Sequence, residues 1–250
     1  MSLLEATVNS GSSDLHLTVG RPATVRRDGD LVAFENVPVL TTEEIDRMIY
    51  SLLDERQMAD LHKDKQVDFS FSHAALGRFR ANAFSQRGSL ALALRVVPFR
   101  VRTLEELGCP AACGTLLNKP YGIVLVVGPT GSGKSTTLAA MIDRINDTKP
   151  LHILTIEDPV EYVHDHKMAM VNQREVGTDV ETFQSGLKSA LREDPDVVLL
   201  GEMRDLESME ISLSLAETGH LVFATLHTND AAQALDRIID VFPSERRDQI

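Results

Sequence analysis

Residues 122–135 read Gly-Ile-Val-Leu-Val-Val-Gly-Pro-Thr-Gly-Ser-Gly-Lys-Ser, and the order of parts within this stretch decides the fold. The apolar run Ile123 to Val127 has the composition of a buried strand. Gly128, Gly131 and Gly133 then let the chain turn without Cβ obstruction. Lys134-Ser135-Thr136-Thr137-Leu138-Ala139-Ala140-Met141 opens a helix whose first amides have no partner inside the helix. Strand, glycine turn and helix start, in that register, make a phosphate-binding loop. Its segment is Gly128, Pro129, Thr130, Gly131, Ser132, Gly133, Lys134, Ser135 and Thr136. Backbone N–H groups there can cradle the α- and β-phosphates of ATP, Lys134 can reach β and γ, and the Ser135 hydroxyl can take Mg²⁺.

The 250 residues suit about two domains. With 43% hydrophobic and 25% charged residues the balance is globular, and no apolar stretch reaches the ~18–20 residues that cross a bilayer. Met1-Ser2-Leu3-Leu4-Glu5 has no basic region followed by an apolar core, so no signal peptide is expected. Cys109 and Cys113 stand in Cys-Pro-Ala-Ala-Cys with no second pair, which favours free thiols in a reducing compartment over a disulfide or metal site. A formal charge of −12 argues against a motor held on nucleic acid by phosphate contacts.

The chain separates into two halves and a hinge. Residues 1–98 read as a small α+β domain. Asp14–Val19 alternates with period two, Gly20-Arg21-Pro22 breaks it, and Ala23–Arg27 resumes before a turn at Asp28-Gly29. Thr41 with Glu44 makes a capping box ahead of Ile45, Met48, Ile49, Leu52 and Leu53, one helical stripe. Strand-like runs follow at 67–71, 78–85 and 90–97, so a helix on an antiparallel sheet is expected. Residues 99–120 read as a linker with a short helix at 104–107. From 121 to 250 strands (122–127, 151–156, 196–200, 220–225) alternate with helices (134–146, 182–192, 205–217, 230–240). That is the pattern of a parallel sheet covered on both faces, and a further helix is expected to begin after Ser244.

Three later segments carry chemistry. Asp194-Pro195-Asp196-Val197-Val198-Leu199-Leu200-Gly201-Glu202 delivers an acid to the C-terminal end of an apolar strand, where open α/β sheets bind ligands. Glu202 can there hold Mg²⁺ through water or orient the attacking water. Leu154-Thr155-Ile156-Glu157-Asp158-Pro159-Val160-Glu161 crowds three acids that repel unless a cation or donors meet them; an acidic surface turn is the plainer alternative. Gly219–Asp230 sets His220 and His227 at the two ends of one strand beside Thr225, Thr228 and Asn229, where they could sense a γ-phosphate, although a lone histidine is more often structural. His164-Asp165-His166 follows a turn and is not read as a metal site.

Together the loop at 128–135, the Ile-Glu-Asp-Pro-Val-Glu box, Gly-Glu-Met-Arg-Asp and Thr-Gly-His-Leu-Val-Phe-Ala-Thr-Leu-His-Thr resemble the secretion-ATPase superfamily of type IV pilus and type II secretion motors. Ser13-Asp14-Leu15-His16-Leu17, Asp28-Gly29-Asp30-Leu31 and Arg78-Phe79-Arg80-Ala81-Asn82 are similar to the first domain of the pilus retraction (PilT-like) ATPases. The likeness spans essentially the whole chain. It implies an α/β fold, a RecA-like P-loop ATPase core preceded by a PAS-like domain. It implies a homohexameric ring that hydrolyses ATP with Mg²⁺ at the cytoplasmic face of the bacterial inner membrane. Its partners would be an inner-membrane platform protein and, indirectly, pilin. Carried over by position, Lys134 and Ser135 handle phosphate and Mg²⁺, Glu202 is the catalytic acid, Glu161 polarises water, and His220 and His227 report nucleotide state. Arginines of the first domain and linker reach nucleotide at a domain or subunit boundary in this family. Arg78, Arg80, Arg95 and Arg102 are the candidates, while Arg204 is expected to pair with Asp205 or a neighbouring acid.

The resemblance also implies a C-terminal helical part that these residues do not include. The rival reading is a pilus-assembly or type II secretion ATPase, towards which Thr228-Asn229-Asp230 leans. An extra N-terminal domain and a four-cysteine zinc insertion, usual in those proteins, are not found here. A nucleotide switch that does not hydrolyse is the other alternative, opposed by intact Lys134 and Glu202.

Overall fold

The computed structural model describes residues 2–97, 100–203, 205–228 and 230–244. Arg204, Asn229 and the helix expected after Ser244 lie outside the described residues. The chain divides into two compact units, Met1–Phe99 and Arg100–Ile250.

The first unit runs α1 (Leu3–Asn9), β1 (Asp14–Thr18), β2 (Thr24–Arg27), β3 (Asp30–Ala33), α2 (Thr42–Tyr50), α3 (Glu55–Asp64), β4 (Gln66–His73), β5 (Gly77–Gln86) and β6 (Ser89–Val96). Its strands pair antiparallel in the order β3-β2-β1-β6-β5-β4. Leu15 and Leu17 face a core shared with Ile45 and Ile49 of α2, as the two periodicities require. The capping box is present as expected: the Glu44 N–H donates to Thr41 Oγ1 (3.3 Å) and the Thr41 N–H to Glu44 Oε2 (2.9 Å). The same device opens α1 (Ser2, Glu5) and α3 (Asp54, Gln57), two helices that the sequence reading did not anticipate. α3 is mostly charged and polar and buries only Leu61, so its periodicity was faint. β3, also unanticipated, is exposed along its whole length.

The second unit runs α4 (Ala111–Leu116), β7 (Gly122–Val127), α5 (Lys134–Thr148), β8 (His152–Glu157), β9 (Met170–Glu175), α6 (Phe183–Ala190), β10 (Val197–Leu200), α7 (Leu206–Glu217), β11 (Leu221–Leu226) and α8 (Ala231–Val241). Its five strands are all parallel, in the order β7-β11-β10-β8-β9. Successive side chains point to opposite faces. Ile153, Val197, Leu199, Leu221 and Phe223 pack with Met141, Ile142 and Ile145 of α5. Leu154, Val198, Leu200, Val222 and Ala224 pack with Leu187 of α6, Met209 and Leu215 of α7 and Ile238 of α8. The expected parallel sheet covered on both faces is the one observed, with β9 added at an edge.

Residues 100–120, read as a linker, belong to the second unit: Leu104 and Leu117 are buried in the core that α5 covers. The short helix lies at Ala111–Leu116 rather than at 104–107. At 103–106 a reciprocal pair of bonds between Thr103 and Glu106 closes only a turn. Cys109 and Cys113 are half-buried and not disulfide-bonded. Among the described residues no helix is long and apolar enough to cross a membrane.

Phe79 is fully buried and stacks on Phe71 with ring centroids 5.2 Å apart. Phe79→Ala should therefore cost the first unit about 3–5 kcal/mol in denaturant unfolding. A loss no larger than the ~0.5 kcal/mol typical of surface changes would contradict this packing.

Candidate active site

The parallel sheet ends on one edge in a cleft of about 740 Å³, and four of its five strands bring a candidate group to it. β7 leads into the phosphate-binding loop, β8 ends at Glu157, β10 is followed by Glu202, and β11 is followed by His227. This is the edge where open α/β sheets collect ligand groups. Thr130, Gly131, Gly133, Lys134, Ser135 and Thr136 line the cleft.

The loop has the backbone that its glycines were expected to permit. Gly133 caps α5 at φ 92°. Gly128 sits at φ 154°, a backbone conformation that residues with a Cβ rarely adopt. Within the turn Lys134 is 8% exposed, and its ammonium donates to the carbonyls of Gly128 (2.9 Å) and Pro129 (3.0 Å). A phosphate entering the loop would compete with these carbonyls for the same charge.

Lys134 Nζ also lies 3.4 Å from His227 Nδ1. An ammonium only donates, so Nδ1 must accept, and the network assigns the proton to Nε2. That nitrogen faces Glu202 Oε1 at 3.5 Å. One imidazole thus links the loop lysine to the acid after β10. The Thr225 hydroxyl donates to the Gly201 carbonyl (2.5 Å), tying β11 to the turn that presents Glu202.

His220 is elsewhere. It precedes β11, and a six-residue strand spans about 20 Å. His220 Nδ1 lies 2.9 Å from the Leu215 carbonyl, and the residue is not among those lining the cleft. Of the two histidines expected to report nucleotide state, only His227 therefore lines this cleft, with His220 a strand's length away. Asp205, for which only a pairing with Arg204 was anticipated, caps α7 by accepting from the Ser208 N–H (2.9 Å) and also accepts from Gln184 (2.9 Å).

The three acids of the second box differ in burial. Glu161 is exposed and lines the cleft. Glu157, which sequence reasoning did not single out, is buried at the end of β8, and its Oε1 accepts from Thr155 Oγ1 (2.8 Å) and Gln173 Nε2 (3.1 Å). Burial pushes its pKa above the ordinary carboxylate range, against the opposing pull of those donors. The signal available in sequence was its place as the last residue of an apolar strand.

The arginine candidates divide between the units. Arg78, Arg80 and Arg95 lie in the first unit, whereas Arg102 is exposed in the second. Arg78 donates to Ser70 Oγ (2.6 Å), and Arg95 Nε to Asp14 Oδ1 (2.8 Å). Burial pushes the Asp14 pKa up, but the Ser13 hydroxyl and the Arg95 guanidinium together hold it below its ordinary value. Arg80 stands opposite Arg95 in the β5–β6 register.

A profile of the family described as "Type II/IV secretion system protein" matches residues 1–244, and the chain belongs to that family. The type IV pilus retraction ATPase PilT of Pseudomonas aeruginosa is 50% identical over 245 residues, covering 98% of this chain and 71% of that protein. A twitching motility protein of Neisseria gonorrhoeae is 46% identical over 251 residues, covering 100% of this chain and 67% of that one. A crystal structure of the pilus retraction motor PilT with bound ADP superposes with a TM-score of 0.94 at 50% identity, covering 100% of this chain and 74% of that one. The fold class and ATP-hydrolysing character expected from the sequence hold. Within the family the kinship lies with pilus retraction ATPases.

Glu157 makes the site sensitive to pH through stability. Its folded pKa is raised, so on raising the pH the unfolded carboxyl ionises first and stability falls from the ordinary carboxylate range upward. Glu157→Gln removes that dependence. Its melting temperature relative to wild type should climb as the pH rises through and above the ordinary carboxylate range. A difference that stays flat would show that Glu157 ionises alike in both states.

Proposed function

We propose that this chain is the ATP-hydrolysing subunit of a homohexameric motor that powers type IV pilus retraction, and with it twitching motility. It would act in the cytoplasm, at the inner face of the bacterial cytoplasmic membrane. An inner-membrane platform protein would be its direct partner, pilin would be moved indirectly, and nucleic acid would play no part. The observation that carries this reading is the Lys134–His227–Glu202 chain at the strand ends, in a chain of the retraction-ATPase kind. A structural turn has no need to bury a lysine ammonium beside a carboxylate-bearing cleft.

In this reading the N–H groups of the loop and the start of α5 hold the β-phosphate, and Lys134 meets the charge that develops on the γ-phosphoryl group. Glu202 takes the proton of the attacking water, and Glu161 orients that water from the opposite wall. His227 carries the state of the γ-phosphate from Lys134 to Glu202, and any sensing by His220 concerns a nucleotide other than that in its own cleft. Ser135 lines the cleft at the start of α5, and its hydroxyl is a hard oxygen donor of the kind that suits Mg²⁺. Ser135 would hold the ion with the phosphate oxygens, and the ion would supply charge neutralisation on the β- and γ-phosphates.

Two substitutions test the assignment. Lys134→Ala should abolish phosphate release by the assembled protein, because the loop loses its point charge on the transferred group. Glu202→Gln should keep ATP affinity while turnover falls ~10²–10⁴-fold, the usual loss for a positioned base. Wild-type turnover in Lys134→Ala would remove the loop from the reaction. Lost nucleotide affinity in Glu202→Gln would make Glu202 a metal ligand and shift the base to Glu161.

The second unit offers no described arginine at the phosphate end of its cleft, so a neighbouring copy should supply one. Arg78, Arg80, Arg95 and Arg102 are the candidates, and such a group commonly contributes ~10³–10⁵-fold to phosphoryl transfer. Specific activity should fall on dilution as rings dissociate, and subunits carrying the relevant Arg→Ala change should poison wild type on mixing. Undiminished turnover by a demonstrated monomer would contradict the reading.

A further inference from the structure

We propose that Gln173, on β9, is a positioning residue for hydrolysis: it clamps the acidic loop carrying Glu161 and Tyr162 against the end of β8, and its loss costs turnover rather than nucleotide binding. The inference rests on the reading of the cleft as an ATP-hydrolysing site.

Residues 158–164 form no helix or strand, so their backbone groups must find partners outside the loop. β9 supplies several. Gln173 Nε2 donates to the Tyr162 carbonyl (2.8 Å), and Gln173 Oε1 accepts from the His164 N–H (2.8 Å). The same Nε2 donates to the buried carboxyl of Glu157 (3.1 Å). One half-buried amide therefore spends both its donors and an acceptor site on joining the loop to the strand-end acid. Two residues further along β9, Glu175 Oε2 accepts from the Val160 N–H (2.9 Å). Glu161 thus lies between two residues that β9 holds by their backbones.

The far side of the loop is tied to the phosphate-binding helix. The Tyr162 hydroxyl lies 2.9 Å from Thr136 Oγ1, in the first turn of α5. Hydrogen bonds accordingly run from Glu157 through Gln173 to Tyr162, and from the Tyr162 ring to α5. Glu161 is exposed, so its place over the cleft is set by its backbone more than by packing. Gln173 also donates to a second acid of the cleft, Glu157, which itself accepts from the Glu161 backbone. Glu175 is the more deeply buried of the two β9 side chains, and its removal would disturb the fold as well as the loop. Gln173 can be altered with less effect on the core.

The test uses the assembled protein with Mg²⁺ and ATP, comparing Gln173→Leu, Gln173→Glu, Glu161→Gln and the Glu161→Gln/Gln173→Leu double variant. Gln173→Leu removes all three bonds, and Gln173→Glu keeps the acceptor for His164 but loses both donors. For each, kcat, KM, affinity for ADP and melting temperature are measured. Misplacing a catalytic group by about 1 Å can cost on the order of 10²-fold in rate, so kcat should fall by about that much in both single Gln173 variants, with KM and ADP affinity close to wild type. Because Gln173 acts through the loop, adding Gln173→Leu to Glu161→Gln should cost little more, a non-additivity that a general loss of stability would not produce. The proposal is overturned by a kcat within about twofold of wild type, by a loss confined to KM, by fully additive losses, or by a silent Glu161→Gln. It is equally overturned if neither Gln173 variant folds and binds ADP, since Gln173 would then serve the fold. A wild-type protein without ATPase activity would instead remove the reading of the cleft on which the inference rests.

Discussion

A lysine ammonium buried in a glycine turn is the constraint on which this structure depends. Taking a full charge out of water is costly unless hydrogen bonds replace the solvent. Lys134 meets that cost with the carbonyls of Gly128 and Pro129 and the lone pair of His227. Those acceptors converge only because Gly128 and Gly133 adopt φ of 154° and 92°, and because β7 ends where α5 begins. The remaining strands then have to finish on the same edge, so that the acids at their ends line the cleft that Lys134 also lines.

Around that cation the carboxylates are graded by burial. Glu157 is deepest, and burial raises its pKa; Glu202 is partly exposed beside His227, and Glu161 is open to solvent. Such a spread separates tasks that three equivalent carboxylates could not share. The first turns of α5, α6 and α7 also reach this cleft, with Ser135, Thr182 and Asp205 among its lining. Helix N-termini favour negative charge, so these helix starts add weak positive potential to the cleft.

Much of this was legible in the sequence because its causes are local. A strand, a glycine turn and a helix opened by Lys-Ser announce themselves within fourteen residues at 122–135. The apolar runs that became β8, β10 and β11 could be read the same way. β9 could not: Met-Val-Asn-Gln-Arg-Glu lacks a continuous apolar run, as suits a strand at the sheet edge with only part of its length buried. With it went Gln173 and Glu175, whose importance comes from backbone groups some ten to fifteen residues earlier in the chain. The two histidines show the opposite failing. Their pattern was visible, but a strand's length separates them, and only His227 reaches the cleft. Arg80 and Arg95 lie fifteen residues apart in sequence, and only the pairing of β5 with β6 sets them side by side.

The central claim is that Lys134 exchanges the loop carbonyls for phosphate at the strand-end cleft. The most direct measurement is a structure of the assembled protein with Mg²⁺ and a non-hydrolysable ATP analogue. The account predicts Lys134 Nζ within about 3 Å of a terminal phosphate oxygen, released from Gly128 and Pro129, with Glu202 and Glu161 flanking the γ-phosphate. A nucleotide bound elsewhere, or bound with Lys134 still on its two carbonyls, would contradict it.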